Sequence, residues 1–166
     1  MGAVMSIITW MQESAYATGI RESSIAYPLF QVVHIWGVGL FAGALGFANL
    51  RLSGVANNLN LIEFTRHAMR IAWFGLALIL FAGLNMAYSF IAVFSVSPVF
   101  GLKMACFALI LINAFYIQKN IQGENAKWIS SPPDARKVKT WASLCIVILF
   151  IIIALGKLLA YIGGKD

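Results

Sequence analysis

Charge is what this sequence has least of. Only 11% of its 166 residues are charged, while 61% are hydrophobic. Soluble domains carry roughly 25% charged and about 45–50% apolar residues. Soluble packing cannot absorb such an excess, so a soluble globular fold is excluded and an integral membrane protein is expected. Histidine and cysteine are scarce as well, with two of each. His34 has no second His, Cys or carboxylate at metal-ligand spacing in its own apolar segment, which argues against a zinc-type site there. No nucleophile–base pair suggests a hydrolase, and no glycine loop follows a strand to cradle phosphate. The N-terminus lacks a basic region, and Glu13 interrupts its apolar run early. It therefore does not read as a signal peptide.

What is present is four long apolar windows, at 27–50, 71–94, 100–117 and 141–162. A hydrocarbon core of ~30 Å takes ~20 helical residues to cross. Backbone polar groups in lipid must be paired within the segment, so these windows are helices. The expected fold is all-α: one transmembrane domain over 1–166, built as a four-helix bundle. Residues 4–19 are expected to form a preceding amphipathic interfacial helix. There Val4, Ile7, Ile8, Met11 and Ala15 share a face, and Trp10 suits the headgroup level.

The net charge of +6 does not point to nucleic acid, because the basic residues lie between apolar blocks. Such placement reports topology and anionic lipid headgroups. Arg51, Arg66, Arg70, Lys119, Lys127, Arg136, Lys137 and Lys139 flank the two loops after the first and third windows. Arg21, Lys103, Lys157 and Lys165 remain for the other side. This asymmetry puts both loops in the cytoplasm of a bacterial inner membrane and both termini in the periplasm. "SSPPDARK" adds a turn and a solvated segment before the last window.

In the first window, Gly39, Gly43 and Gly46 fall on one helix face. Small residues there invite the close approach of another helix. His34 lies on roughly the opposite face, with Phe41, Leu45 and Ala48. Gly83 and Ala87 form a similar small-residue patch in the second window. Cys106 and Cys145 are expected near opposite membrane faces, too far apart for a disulfide.

Ionisable residues inside a membrane are functional candidates. His34 is expected ~10 Å below the outer boundary. Asn85, Met86, Tyr88, Lys103, Met104, Cys106, Lys157 and Tyr161 are expected at a similar depth. Lys103, Cys106, Ile110 and Asn113 share one helix face. Two readings stand. In the first, His34 is hydrogen-bonded by Tyr88 or a carbonyl, and the lysines reach out to the headgroups. In the second, His34, Met86, Tyr88, Lys103 and Met104 wall a pocket for a cofactor, haem b or a quinone. Haem iron needs an axial His, commonly with a second His or a Met. His34 with Met86 or Met104, or His34 alone, is the easier ligation, since His67 should lie ~15–20 Å away along the membrane normal. His67, between Arg66 and Arg70, reads as an interfacial basic cluster. Asn49 and Arg51 are expected to cap and anchor the end of the first span.

"RESSIAYPLFQVVHIWGVGLFAGALGFANLRLSG" resembles the opening of a family of small bacterial inner-membrane proteins with no assigned activity. The likeness rests on Tyr27-Pro28, His34, Gly37, Gly43 and Asn49-Leu50-Arg51-Leu52, then Pro98, Phe100, Lys103 and Asn113. It covers residues 10 to about 120. Asn49 departs from the family's usual acid. The resemblance implies a four-helix membrane fold and singles out His34, Arg51, Lys103 and Asn113. The functional expectation is an accessory or anchor subunit, bound to other membrane-protein subunits in a larger complex, with a redox assembly as one option. An electron-transfer protein with haem or quinone near His34 is the alternative, and a small transporter or channel along the Lys103–Asn113 face is the third.

Overall fold

The shape follows from four helices that are each longer than a bilayer core is thick. A computed structural model describes residues 2–55, 58–122 and 135–162. It shows α1 (Gly2–Gln12), α2 (Ala15–Glu22), α3 (Ala26–Ser53), α4 (Leu61–Ser89), α5 (Ile91–Ser95), α6 (Pro98–Ile121) and α7 (Ala135–Ile162). There is no strand among the described residues. Helices α3, α4, α6 and the Arg136–Leu158 stretch of α7 are long and apolar enough to cross a membrane. At 1.5 Å per residue, α3 and α4 each extend roughly 42 Å. The chain has the makeup of a membrane protein. The expected turn at 130–134, Lys127, Lys165 and the side chain of Tyr161 lie outside the described residues.

Local chemistry sets the ends. Ser14, Asn60 and Ser97 cap α2, α4 and α6, each side chain accepting from backbone N–H groups of the first turn. Pro98 opens α6, where its missing N–H is harmless. Helix α3 stops at Gly54, whose φ of 99° is the left-handed conformation that favours glycine. Beyond α6 running on to Ile121 and α7 starting at Ala135, two larger differences from the sequence expectation stand out. The single helix at 4–19 is instead α1 and α2, because Ser14 starts a new helix. The second window was expected at 71–94, but α4 begins at the Asn60 cap and ends at Phe90, where φ is −126° and ψ 30°. The short α5 follows.

Helices α3 and α4 form a hairpin joined by an unusually close contact. A Cβ on Gly37 would stand 2.8 Å from the Ile79 nitrogen and 2.9 Å from the Gly75 carbonyl oxygen. A Cβ on Gly75 would stand 2.5 Å from the Phe41 nitrogen and 2.9 Å from the Gly37 carbonyl oxygen. The two backbones touch there because neither residue has a side chain. The sequence pointed instead to Gly39, Gly43 and Gly46. Of these, Gly46 meets only Leu149 of α7, at 3.9 Å, while Gly39 and Gly43 have nothing within 4 Å. The reason is rotational: two residues on from Gly37 is more than half a turn, so Gly39 faces away from α4. The core shared by α3, α4, α6 and α7 includes Phe41, Leu45, Met69, Ala72, Ile110, Ile117, Cys145 and Leu149. Outside it, large side chains such as Trp36, Phe47, Phe81 and Phe150 are exposed.

Gly75→Ala should therefore destabilise the protein by about 1–3 kcal/mol, as overpacking of a tight contact does. Gly39→Ala and Gly43→Ala should stay within about 0.5 kcal/mol of the parent. Thermal unfolding in one detergent or lipid system would check all three.

Candidate functional site

Two polar layers lie within the apolar helices. The first is near the end where α3 begins and α4 finishes. His34 is ~12 Å along α3 from its start. Its ring is seated on α4 at Gly83, where a Cβ would stand 3.0 Å from His34 Cε1 and 3.1 Å from Nδ1. The absent side chain makes the seat. Ile79 presents a backbone carbonyl to the same ring, and Lys103 of α6 is close enough for its charge to act on it. Nδ1 is buried with no hydrogen-bond partner. The Lys103 ammonium reaches α7, with Nζ 3.8 Å from where a Cβ of Gly156 would be. Four helices thus contribute at one level: His34, Gly83, Lys103 and Gly156.

Among the described residues, no carboxylate belongs to this layer. The acids of the chain are Glu13, Glu22, Glu63, Glu124, Asp134 and Asp166. Only Glu63 is on a long helix, in the first turn of α4, ~30 Å from Gly83 along the helix. The layer can donate hydrogen bonds, but it has no acid among the described residues to pass a proton to.

The other residues expected around His34 are used elsewhere. The Tyr88 hydroxyl is 3.3 Å from Ser14 Oγ, and its ring packs on Tyr16. The Tyr16 hydroxyl donates to Asn85 Oδ1. Arg21 donates to the Gln12 and Ser89 carbonyls, and Gln12 Oε1 accepts from the Ala92 N–H. Asn85 and Tyr88 therefore fasten α2 to α4, while Gln12 ties the end of α1 to α5. Met104 is 38% exposed, and Met86 is half-buried on α4. Of the five residues proposed to wall a pocket, the structure places Lys103 beside His34. A haem b does not fit this packing well, because the imidazole lies in the α3–α4 seam and Met104 points outward. His67 is exposed, its Nδ1–H donating to the Glu63 carbonyl at 2.9 Å. It lies ~24 Å along α4 from Gly83.

The second layer is near the α3–α4 turn. Asn49 Nδ2 donates to Leu45 O at 2.9 Å and to Asn113 Oδ1 of α6 at 3.0 Å. Both asparagines are buried, at 0% and 1% exposure. Asn49 is thus an interior helix-to-helix contact, not the cap the sequence suggested; Gly54 takes that place. Arg51 Nε donates to the Leu59 carbonyl and so helps close the turn. Between the layers, Phe41, Leu45 and Ile110 are buried and apolar. The Lys103–Cys106–Ile110–Asn113 face is consequently polar at its ends and shut in the middle. Two surface hollows, of about 400 and 350 Å³, lie away from His34. The first is lined by Arg136, Lys137, Thr140, Trp141 and Leu144, the second mainly by Phe47, Leu50, Arg51 and Phe64.

Sequence reasoning missed the pairing of Asn49 with Asn113, and it missed Thr65. The usable signal was an asparagine in each of two apolar helices, since amides in lipid seek partners across helices. Comparison with protein-family models, curated proteins and solved structures finds no match.

Asn113→Leu should cost about 1 kcal/mol, within the measured range for interhelical hydrogen bonds in membranes. The loss in Asn49→Leu/Asn113→Leu should be smaller than the sum of the two single losses, because both remove one bond. Additive losses in a double-mutant cycle would show that the pair contributes nothing.

Proposed function

We propose that the protein is a four-helix inner-membrane bundle that serves as an accessory or anchor subunit, docking a second membrane protein against the open face of α3. The observation that supports this most is the bare stripe at Gly39 and Gly43, with nothing within 4 Å of either. It runs between the exposed side chains of Trp36 and Phe47. In lipid, helices associate by van der Waals packing and interhelical hydrogen bonds, and small residues allow close backbone approach. The long helices also bury little of themselves: 17–22% of their most apolar windows. This reading takes both loops as cytoplasmic, both termini as periplasmic, and α1 as lying at the headgroup level. The likeness to small four-helix inner-membrane proteins belongs to the same reading.

Electron transfer through haem or quinone at His34 has less support, because the ring is committed to the α3–α4 seam. A transporter or channel has less again, because the Phe41–Leu45–Ile110 layer closes the interior. In native membranes, Gly39→Ile/Gly43→Ile should shift the protein from a larger assembly to a smaller species on native gels, with unchanged helix content. An unchanged assembly would sink the docking role. A Soret band in the purified parent that is lost in His34→Ala would reverse the order of the readings.

A further inference from the structure

The turn end of the α3–α4 hairpin contains two oxygens with no hydrogen-bond partner: Asn49 Oδ1 and Thr65 Oγ1. Both residues are fully buried, at 0% exposure. The hairpin register brings them to one level. From the Gly37–Gly75 contact, Asn49 is ~18 Å further along α3 and Thr65 ~15 Å back along α4. Turning the Asn49 amide over does not remove the orphan. It would set Oδ1 against two acceptors, the Leu45 carbonyl and Asn113 Oδ1, and lose both existing bonds. The Thr65 hydroxyl also forgoes the bond to the carbonyl four residues back that buried helical threonines often make.

We infer that a water molecule is bound at this level, donating to Asn49 Oδ1 and hydrogen-bonded to the Thr65 hydroxyl. Buried polar groups are satisfied by protein or by ordered water, and internal waters sit where two or more such groups converge. A monovalent cation is the competing occupant, because amide and hydroxyl oxygens also suit one. The surrounding charge opposes it. Among the described residues at this end of α3 and α4, Arg51, Arg66 and Arg70 outnumber the one acid, the exposed Glu63. A neutral donor satisfies Asn49 without adding to that positive charge. The water connects α4 to the Asn49–Asn113 pair, so that three long helices share one polar knot.

The test is water-to-protein polarisation transfer by solid-state NMR on the full chain in lipid bilayers. Transfer to the Asn49 and Thr65 side chains, at rates set by a long-lived water, is expected. Its absence at both, with transfer present at the exposed Thr140, would overturn the proposal. So would a shift of the Asn49 amide signals when sodium replaces a bulky organic cation, since that marks a metal ion. Thr65→Val supplies an independent check. Losing a bond to water should lower Tm by about 2–4 °C, with Thr65→Ser close to the parent. A higher Tm in Thr65→Val would mean that the hydroxyl is dry and was a burden. If Thr65→Val does not fold, the NMR measurement on the parent decides alone.

Discussion

The contact between Gly37 and Gly75 is the constraint on which the rest of the structure depends. It lets two backbones meet where side chains would otherwise hold them apart, and it fixes how α3 is offset along α4. Everything polar in the interior takes its position from that offset. Toward one end, the same register sets the His34 ring on Gly83. Toward the other, it brings Thr65 to the level of Asn49. A shift of one helical turn, ~5.4 Å, would push His34 against a residue with a side chain.

The polar groups are arranged in layers, not in a continuous track. His34 and Lys103 occupy one layer, Asn49, Thr65 and Asn113 the other, with Phe41, Leu45 and Ile110 between them. On α6 the two layers are ~15 Å apart. An apolar layer of that depth shields each from the other, so each must find its own partners. The amide layer does so with an interhelical hydrogen bond. Among the described residues the His–Lys layer has no carboxylate to turn to, because the spans contain none outside the first turn of α4. The His34 ring rests in a glycine-sized seat on α4, and Lys103 reaches across to Gly156 of α7.

Much of this was legible in the sequence, and the part that was not has a physical explanation. Four apolar windows dictate four long helices, because lipid leaves the backbone no other way to satisfy itself. That His34 lies with Phe41, Leu45 and Ala48 also follows from helical periodicity. The choice among glycines did not follow. Gly39 and Gly43 have the familiar spacing, yet Gly37 makes the contact, because which face turns to α4 is settled by the whole hairpin. The surroundings of His34 were partly misread for a related reason. Tyr88 and Asn85 lie at a suitable depth, but depth does not reveal azimuth, and α2 with its Ser14 cap claims both. The start of α4 is hidden in the sequence because Glu63, Arg66 and Arg70 dilute the apolar signal, while the Asn60 cap makes a helix there regardless.

The glycine contact and the asparagine pair play different parts. Interhelical hydrogen bonds in membranes average only about 0.6 kcal/mol, since the separated helices also find partners for their polar groups. One amide pair therefore adds little to the stability of a four-helix membrane fold. Its effect is on choice: an alternative rotation of α6 would strip Asn113 Oδ1 of its donor in hydrocarbon, while Asn49 keeps only its bond to the Leu45 carbonyl, and leaving a buried polar group unpaired costs more than the bond itself gains. Close packing at Gly37 and Gly75 brings α3 and α4 together through many small dispersion contacts. The asparagines then determine which face α6 presents to α3. Packing sets how near the helices come, and the amides set which arrangement of those helices is kept.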